Sequence, residues 1–129
     1  MKPISGLDPL DIGTRIEELK QLEHGWLDGM GLAPLHDGLD WLADSFERDF
    51  PADLPQPFLY PTPEGGVRAE WTRHPHESSL EIDLSARVGA WHCLNLETDA
   101  DQSRSLVLDD PKDWAWLLGE LRRLEGTRA

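Results

Sequence analysis

One cysteine, Cys93, stands in the 129-residue chain, so no internal disulfide can form and no cysteine cluster is present to hold a structural zinc. Bases are also scarce: 12 Lys and Arg stand against 25 Asp and Glu, a formal net charge of -13. That balance argues against direct binding to nucleic acid or to an anionic membrane, since the phosphates of both repel an acidic surface, and it makes a basic protein the natural partner. No apolar run approaches the roughly 18–20 residues of a membrane-spanning helix, and residues 1–6 lack the apolar core of a secretory signal. Together with the lone thiol, these absences lead us to expect a cytoplasmic protein. Catalytic signatures, internal repeats and low-complexity tracts are missing as well. The expectation is therefore a non-catalytic protein without a cofactor.

What is present is enough to build a core. Hydrophobic residues make up 39% of the chain and six of them are Trp, which excludes disorder, and the length suits a single domain over residues 1–129. Helical periodicity dominates the first part. Asp8-Pro9 and the capping box Thr14 to Glu17 offer two starts for a first helix, and Gly13 favours the later one. Ile12, Ile16, Leu19 and Leu22 give it an apolar face, and Gly25 a stop. The run from Gly25 to Pro34 is too rich in Gly for regular structure and too apolar for a solvated loop, so Trp26 and Leu27 are expected to fold back onto the core.

A second helix is predicted from Leu35 to Phe50, with Leu35, Leu39, Leu42 and Phe46 on its buried stripe and Pro51 ending it. At about 100° per residue, Asp37, Asp40, Asp44 and Glu47 fall opposite that stripe, and Trp41 lies beside them. Between Gln21 and Val67 only one base, Arg48, accompanies nine acids.

Period-two alternation then predicts an antiparallel sheet of four to five strands: Phe58 to Tyr60, Val67 to Thr72, Ser79 to Leu84, Val88 to Leu96 and Ser103 to Leu108. Val67, Ala69 and Trp71 share an inner face with Leu80, Ile82 and Leu84. Pairing Trp71 with Leu80 across the loop 73–78 would set Arg68 against Asp83 and Glu70 against Glu81, a like-charge contact. Leu94 and Leu96 make both faces of the fourth strand apolar at its end, which predicts cover on both sides there. Asp110-Pro111 caps a last helix whose stripe is Trp114, Leu117, Leu118, Leu121 and Leu124, with Trp116 off the stripe. Lys112, Arg122, Arg123 and Arg128 make this end the least acidic. The class is α+β: two N-terminal helices, the sheet, and a C-terminal helix on one face.

At Gly25-Trp26, Asp28-Gly29, Pro34, the turn from Tyr60 to Gly66 and Glu70-Trp71, the sequence resembles a loosely defined group of small acidic bacterial proteins with no established activity. The resemblance implies a bacterial origin and a compact single domain. It carries over no catalytic or binding residue.

Two surfaces compete as candidates. The first is the acid face of the second helix, with Asp37, Asp40, Asp44 and Glu47 around Trp41 and with Trp116 as a second aromatic contact, since Trp is enriched where partners dock. Four acids without an intervening base exceed the mixed pattern of an ordinary solvated helix face. This surface fits a basic partner in an antitoxin-like, immunity-like, defence-accessory or inhibitory role. The second is an enzyme or ligand site on the open sheet face, using Glu70, Glu81 and His92. One register of the following hairpin sets Glu81 beside His92 and the competing one does not. His74 and His76 have the right chemistry for a metal but flank a proline in a turn, where solvated histidines are the usual reading. Cys93 reads as a buried structural thiol, and Gly65-Gly66 as a turn rather than a phosphate cradle. A third reading is a structural subunit or homodimer with its Trp residues at the interface.

Overall fold

The structure is a computed structural model that describes residues 11–126. Its elements run α1 (Ile12–Leu19), α2 (His36–Asp49), β1 (Phe58–Pro61), β2 (Val67–Arg73), β3 (His76–Asp83), β4 (Val88–Asn95), β5 (Asp101–Val107) and α3 (Pro111–Gly126). The five strands form one antiparallel meander in the order β1-β2-β3-β4-β5. This is the α+β arrangement the periodicities predict.

The apolar stripes of the helices meet one face of this sheet in a contiguous core. Leu39, Leu42 and Phe46 of α2, Leu117 and Leu121 of α3, and Val67, Ala69, Leu80 and Trp91 of the sheet are all buried in it. Phe46 meets Trp114 edge-on at 5.5 Å, and Trp71 meets Trp91 at 6.1 Å, so aromatic rings join the two layers. Asp110 caps α3 as its sequence predicts, accepting from the Lys112 amide at 2.9 Å.

Several expectations are corrected. α1 starts at Ile12 with Asp11 as N-cap, accepting from the Gly13 amide at 3.1 Å, so the earlier part of the segment is helical and Thr14 is not the cap. The alternative start at Asp8-Pro9, like Arg128, lies outside the described residues. Leu35 is the N-cap of α2 rather than part of its buried stripe, and it is 55% exposed. Trp26 and Leu27 do not join the core. Their loop closes on itself instead: the Trp26 indole donates to the Leu32 carbonyl at 2.8 Å, and Leu27 and Met30 form a small antiparallel bridge.

The largest correction concerns register. β3 begins at His76, because Arg73 and His76 are already paired and only His74-Pro75, joined by a cis peptide, forms the turn. Trp71 therefore faces Ser78 rather than Leu80, and Glu70 faces Ser79 rather than Glu81. The predicted Arg68–Asp83 pair becomes Arg68–Glu81. The shift is two residues, so every side chain keeps its face while each cross-strand neighbour changes. At the far end β5 starts at Asp101, and Leu94 and Leu96 are not covered from both sides: Leu94 is half-buried on the open face and Leu96 is exposed beyond the strand.

α2 approaches the sheet through Gly38, where a Cβ would lie 2.6 Å from the Leu84 Cβ. Gly119 in α3 has open space at the same position. We expect Gly119→Ala to stabilise the protein by about 0.5–1 kcal/mol, as helix propensity dictates, and Gly38→Ala to destabilise it by about 1–3 kcal/mol, because the clash outweighs that gain. Urea unfolding of the two variants beside the parent checks the opposite signs.

Candidate functional site

The acids of α2 emerge on its solvent face because the opposite stripe of Leu39, Leu42 and Phe46 is sunk in the core. Asp37, Asp40, Asp44 and Glu47 are all exposed. They are not equivalent. Asp40 is held by Lys20 of the α1 C-cap, and that hydrogen bond raises the ammonium above its usual range. Asp37, Asp44 and Glu47 make no salt bridge with any described residue.

Trp41 lies on this face but is partly buried and engaged. Its indole N–H donates to Asp109 at 3.1 Å, and the Arg87 guanidinium lies 5.2 Å from its ring centre. Trp116 is likewise half-buried, edge-on to Trp91 at 6.2 Å with Arg104 stacked at 4.4 Å. Both rings pack against the core, Trp41 beside Asp109 and Arg87 and Trp116 beside Trp91 and Arg104.

A feature absent from the sequence reading adjoins the start of α2. Met30, Leu32 and Leu35 are exposed at 73%, 54% and 55%. Leu32 and Leu35 border a cleft of about 450 Å³, lined also by Ile82 and Leu84, by His24, and by the acidic residues Glu64, Glu81 and Asp83. The loop is fixed over the β1–β2 turn by the Leu32 amide, which donates to the Pro63 carbonyl at 2.9 Å. Asp83 accepts from the Ala86 amide and from the amide and hydroxyl of Ser85, and these bonds hold its carboxyl below the usual carboxylate range. The Gly38–Leu84 contact joins α2 to this cleft. The signal for it was the apolar excess of the Gly-rich loop, and Leu35 was hidden because it also fits a helical stripe.

The open sheet face presents the second candidate. Glu70, Glu81 and His92 all project there, on one row and its diagonal: Glu70 lies opposite Ser79, Ser79 opposite His92, and Glu81 opposite Ala90. Arg68 bonds Glu70 at 2.7 Å and is the residue opposite Glu81 across the strands, so a base rather than a second carboxylate stands opposite Glu81. Glu70 and His92 border one depression of about 270 Å³ together with Arg68 and Ser79, whereas Glu81 borders the α2-side cleft. The His92 Nε2 lies 3.7 Å from Asp101.

His74 sits exposed in the β2–β3 turn, 3.6 Å from Glu97, and His76 points to the helix side with a buried, unbonded Nδ1. Among the described residues no three His, Cys, Asp or Glu side chains stand close enough to hold one metal ion. Cys93 is buried, with the Ser78 hydroxyl 3.5 Å from its sulfur, and His92 faces the opposite side of the sheet. No family model, curated protein or solved structure matches the chain.

The position of Arg68 sets a test of this charge arrangement. Arg68→Glu should destabilise the protein by about 1 kcal/mol at low salt, and by less as salt screens three neighbouring carboxylates, while Arg68→Gln costs only a few tenths. Denaturant titrations at two salt concentrations read both effects.

Proposed function

We propose that the protein acts without catalysis, by binding a basic partner protein through the α2 acid face and the cleft beside it. The observation that supports this reading is the sequence of features on α2 and beside its start: Asp37, Asp44 and Glu47 without salt bridges to described residues, exposed Leu35 and Leu32, and a cleft lined by Glu64, Glu81 and Asp83. Uncompensated charge steers a basic partner at encounter, and the apolar side chains supply the area that holds it. The cleft suits a Lys or Arg side chain, whose aliphatic stem would lie on Ile82 and Leu84 while its cation meets the acids. Partner neutralisation of the antitoxin, immunity or inhibitor kind, in a bacterial cytoplasm, is the role that such a surface serves. Trp41 would support this face from beneath, and its indole N–H is already committed to Asp109.

A second reading rests on the depression shared by Glu70, His92, Arg68 and Ser79: a small-ligand site on the open sheet face. His92→Ala would abolish binding there and leave the α2 complex intact.

The deciding experiment captures partners from native lysate at low and high salt, then measures affinity with the purified partner by calorimetry. Asp44→Lys with Glu47→Lys should weaken the complex about tenfold or more and flatten its salt dependence. Glu47→Lys alone should raise the stability of the free protein by a few tenths of a kcal/mol, since it removes repulsion from Asp44 and suits the helix C-terminus. Unchanged affinity in the double variant sinks the proposal.

A further inference from the structure

The two edges of the sheet are finished differently. In β1 the alternation of the ladder turns the backbone groups of Leu59 and Pro61 outward. Pro61 has no N–H to offer, and the Leu59 carbonyl already accepts from Arg15 Nε at 2.8 Å. That edge is short and interrupted by proline, among the means natural sheets use against unwanted pairing, and only the Leu59 N–H and the Pro61 C=O stay without a hydrogen bond to a described residue.

In β5 the bonds from Leu108 to Arg87 and from Asn95 to Ala100 place the even-numbered residues toward β4. The backbone groups of Asp101, Ser103, Ser105 and Val107 consequently face outward. Val107 is satisfied within the chain, since its amide donates to Asp113 at 2.6 Å and its carbonyl accepts from Asp110 at 3.0 Å. The three N–H and three C=O groups of Asp101, Ser103 and Ser105 make no hydrogen bond with any described residue. No proline interrupts this strand.

We propose that β5 pairs antiparallel with β5 of a second copy of this chain, about a two-fold axis at Ser103, to make a continuous ten-stranded sheet. The strand is self-complementary in this register. Ser103 meets its own copy and Asp101 meets Ser105, so all six outward groups form bonds. Between them Gln102 lies opposite Arg104 on both sides of the axis, and no like charges face each other. The helix-side layer is also unfinished at this edge: a depression of about 530 Å³ lies between Gln102, Arg104 and Trp116, and the buried Trp91 beside it has an indole N–H without a partner. A second copy brings its own Gln102, Arg104 and Trp116 to that side. None of the α2 acids is on β5, so the dimer is independent of the partner-binding reading and would present two acid faces.

Sedimentation velocity of the full chain across a concentration series tests the proposal. We expect a reversible monomer–dimer equilibrium that tightens with added salt, because screening relieves repulsion between two chains of net charge -13 each. A complex with a basic partner responds to salt in the opposite sense. Ser103→Pro removes two of the six bonds at the axis while sparing the β4 ladder, and should weaken dimerisation about 10- to 100-fold with an unchanged circular dichroism spectrum. Gln102→Glu should strengthen it and Gln102→Arg weaken it, each about 3- to 10-fold, since the new charge faces Arg104 of the other copy. These two exposed substitutions keep the test valid if the proline variant does not fold. A chain that stays monomeric to about 1 mM, or a dimer indifferent to the Gln102 charge, overturns the proposal, and a monomer that binds extended peptides at β5 assigns the edge to a different occupant.

Discussion

The pairing of Arg73 with His76 across the two-residue turn His74-Pro75 sets which β2 and β3 side chains meet, and with them the charge arrangement of the open sheet face around Arg68. It fixes β3 against β2, and the turns 84–87 and 96–100 fix β4 and β5 in their places, so the row Glu70, Ser79, His92, Ser103 follows from three turns together. The same register puts Arg68 between Glu70 and Glu81. A turn longer by two residues would keep every side chain on its face and still set Arg68 against Asp83 and Glu70 against Glu81. The choice of buried residues is thus insensitive to this register, while the neighbours they and the β2–β3 charges meet depend on it.

The helices add a second constraint, because all their apolar stripes are spent on one face of the sheet. α2 accepts like-charge neighbours on its outer side at a cost of a few tenths of a kcal/mol per pair. Burial of Leu39, Leu42 and Phe46, each about 1.5–3 kcal/mol, offsets that many times over. The helix can therefore carry a row of acids that would be unsuitable in an isolated peptide. Exposed Leu32 and Leu35 beside this row are held by backbone bonds rather than by burial, Leu32 through its amide to the Pro63 carbonyl and Leu35 through its carbonyl, which accepts from the Leu39 amide.

Much of this architecture was legible from spacing alone. Period-two alternation assigned the inner residues of β2 and β3, and the stripe at three- and four-residue intervals assigned the faces of α2 and α3. Asp110-Pro111 announced the start of α3. Leu35 was misplaced because it continues the stripe of α2 by one turn although the helix begins after it. The apolar content of the run from Gly25 to Pro34 predicts that Trp26 and Leu27 join the core, whereas backbone bonds within the loop hold it instead. Within the candidate surfaces, the α2 acids were visible in the sequence and the adjoining cleft was not, since it unites residues near positions 32, 64 and 83.

The sequence by itself determined which side of each element is apolar, because that depends only on local geometry repeated along the chain. It determined the acidic row of α2 for the same reason. Only the tertiary structure decided which charges meet, which of the Trp rings are committed to internal partners, and which sheet edge is left open. Those are contacts between residues far apart in the chain, and a two-residue change of register alters them without disturbing a single hydrophobic face.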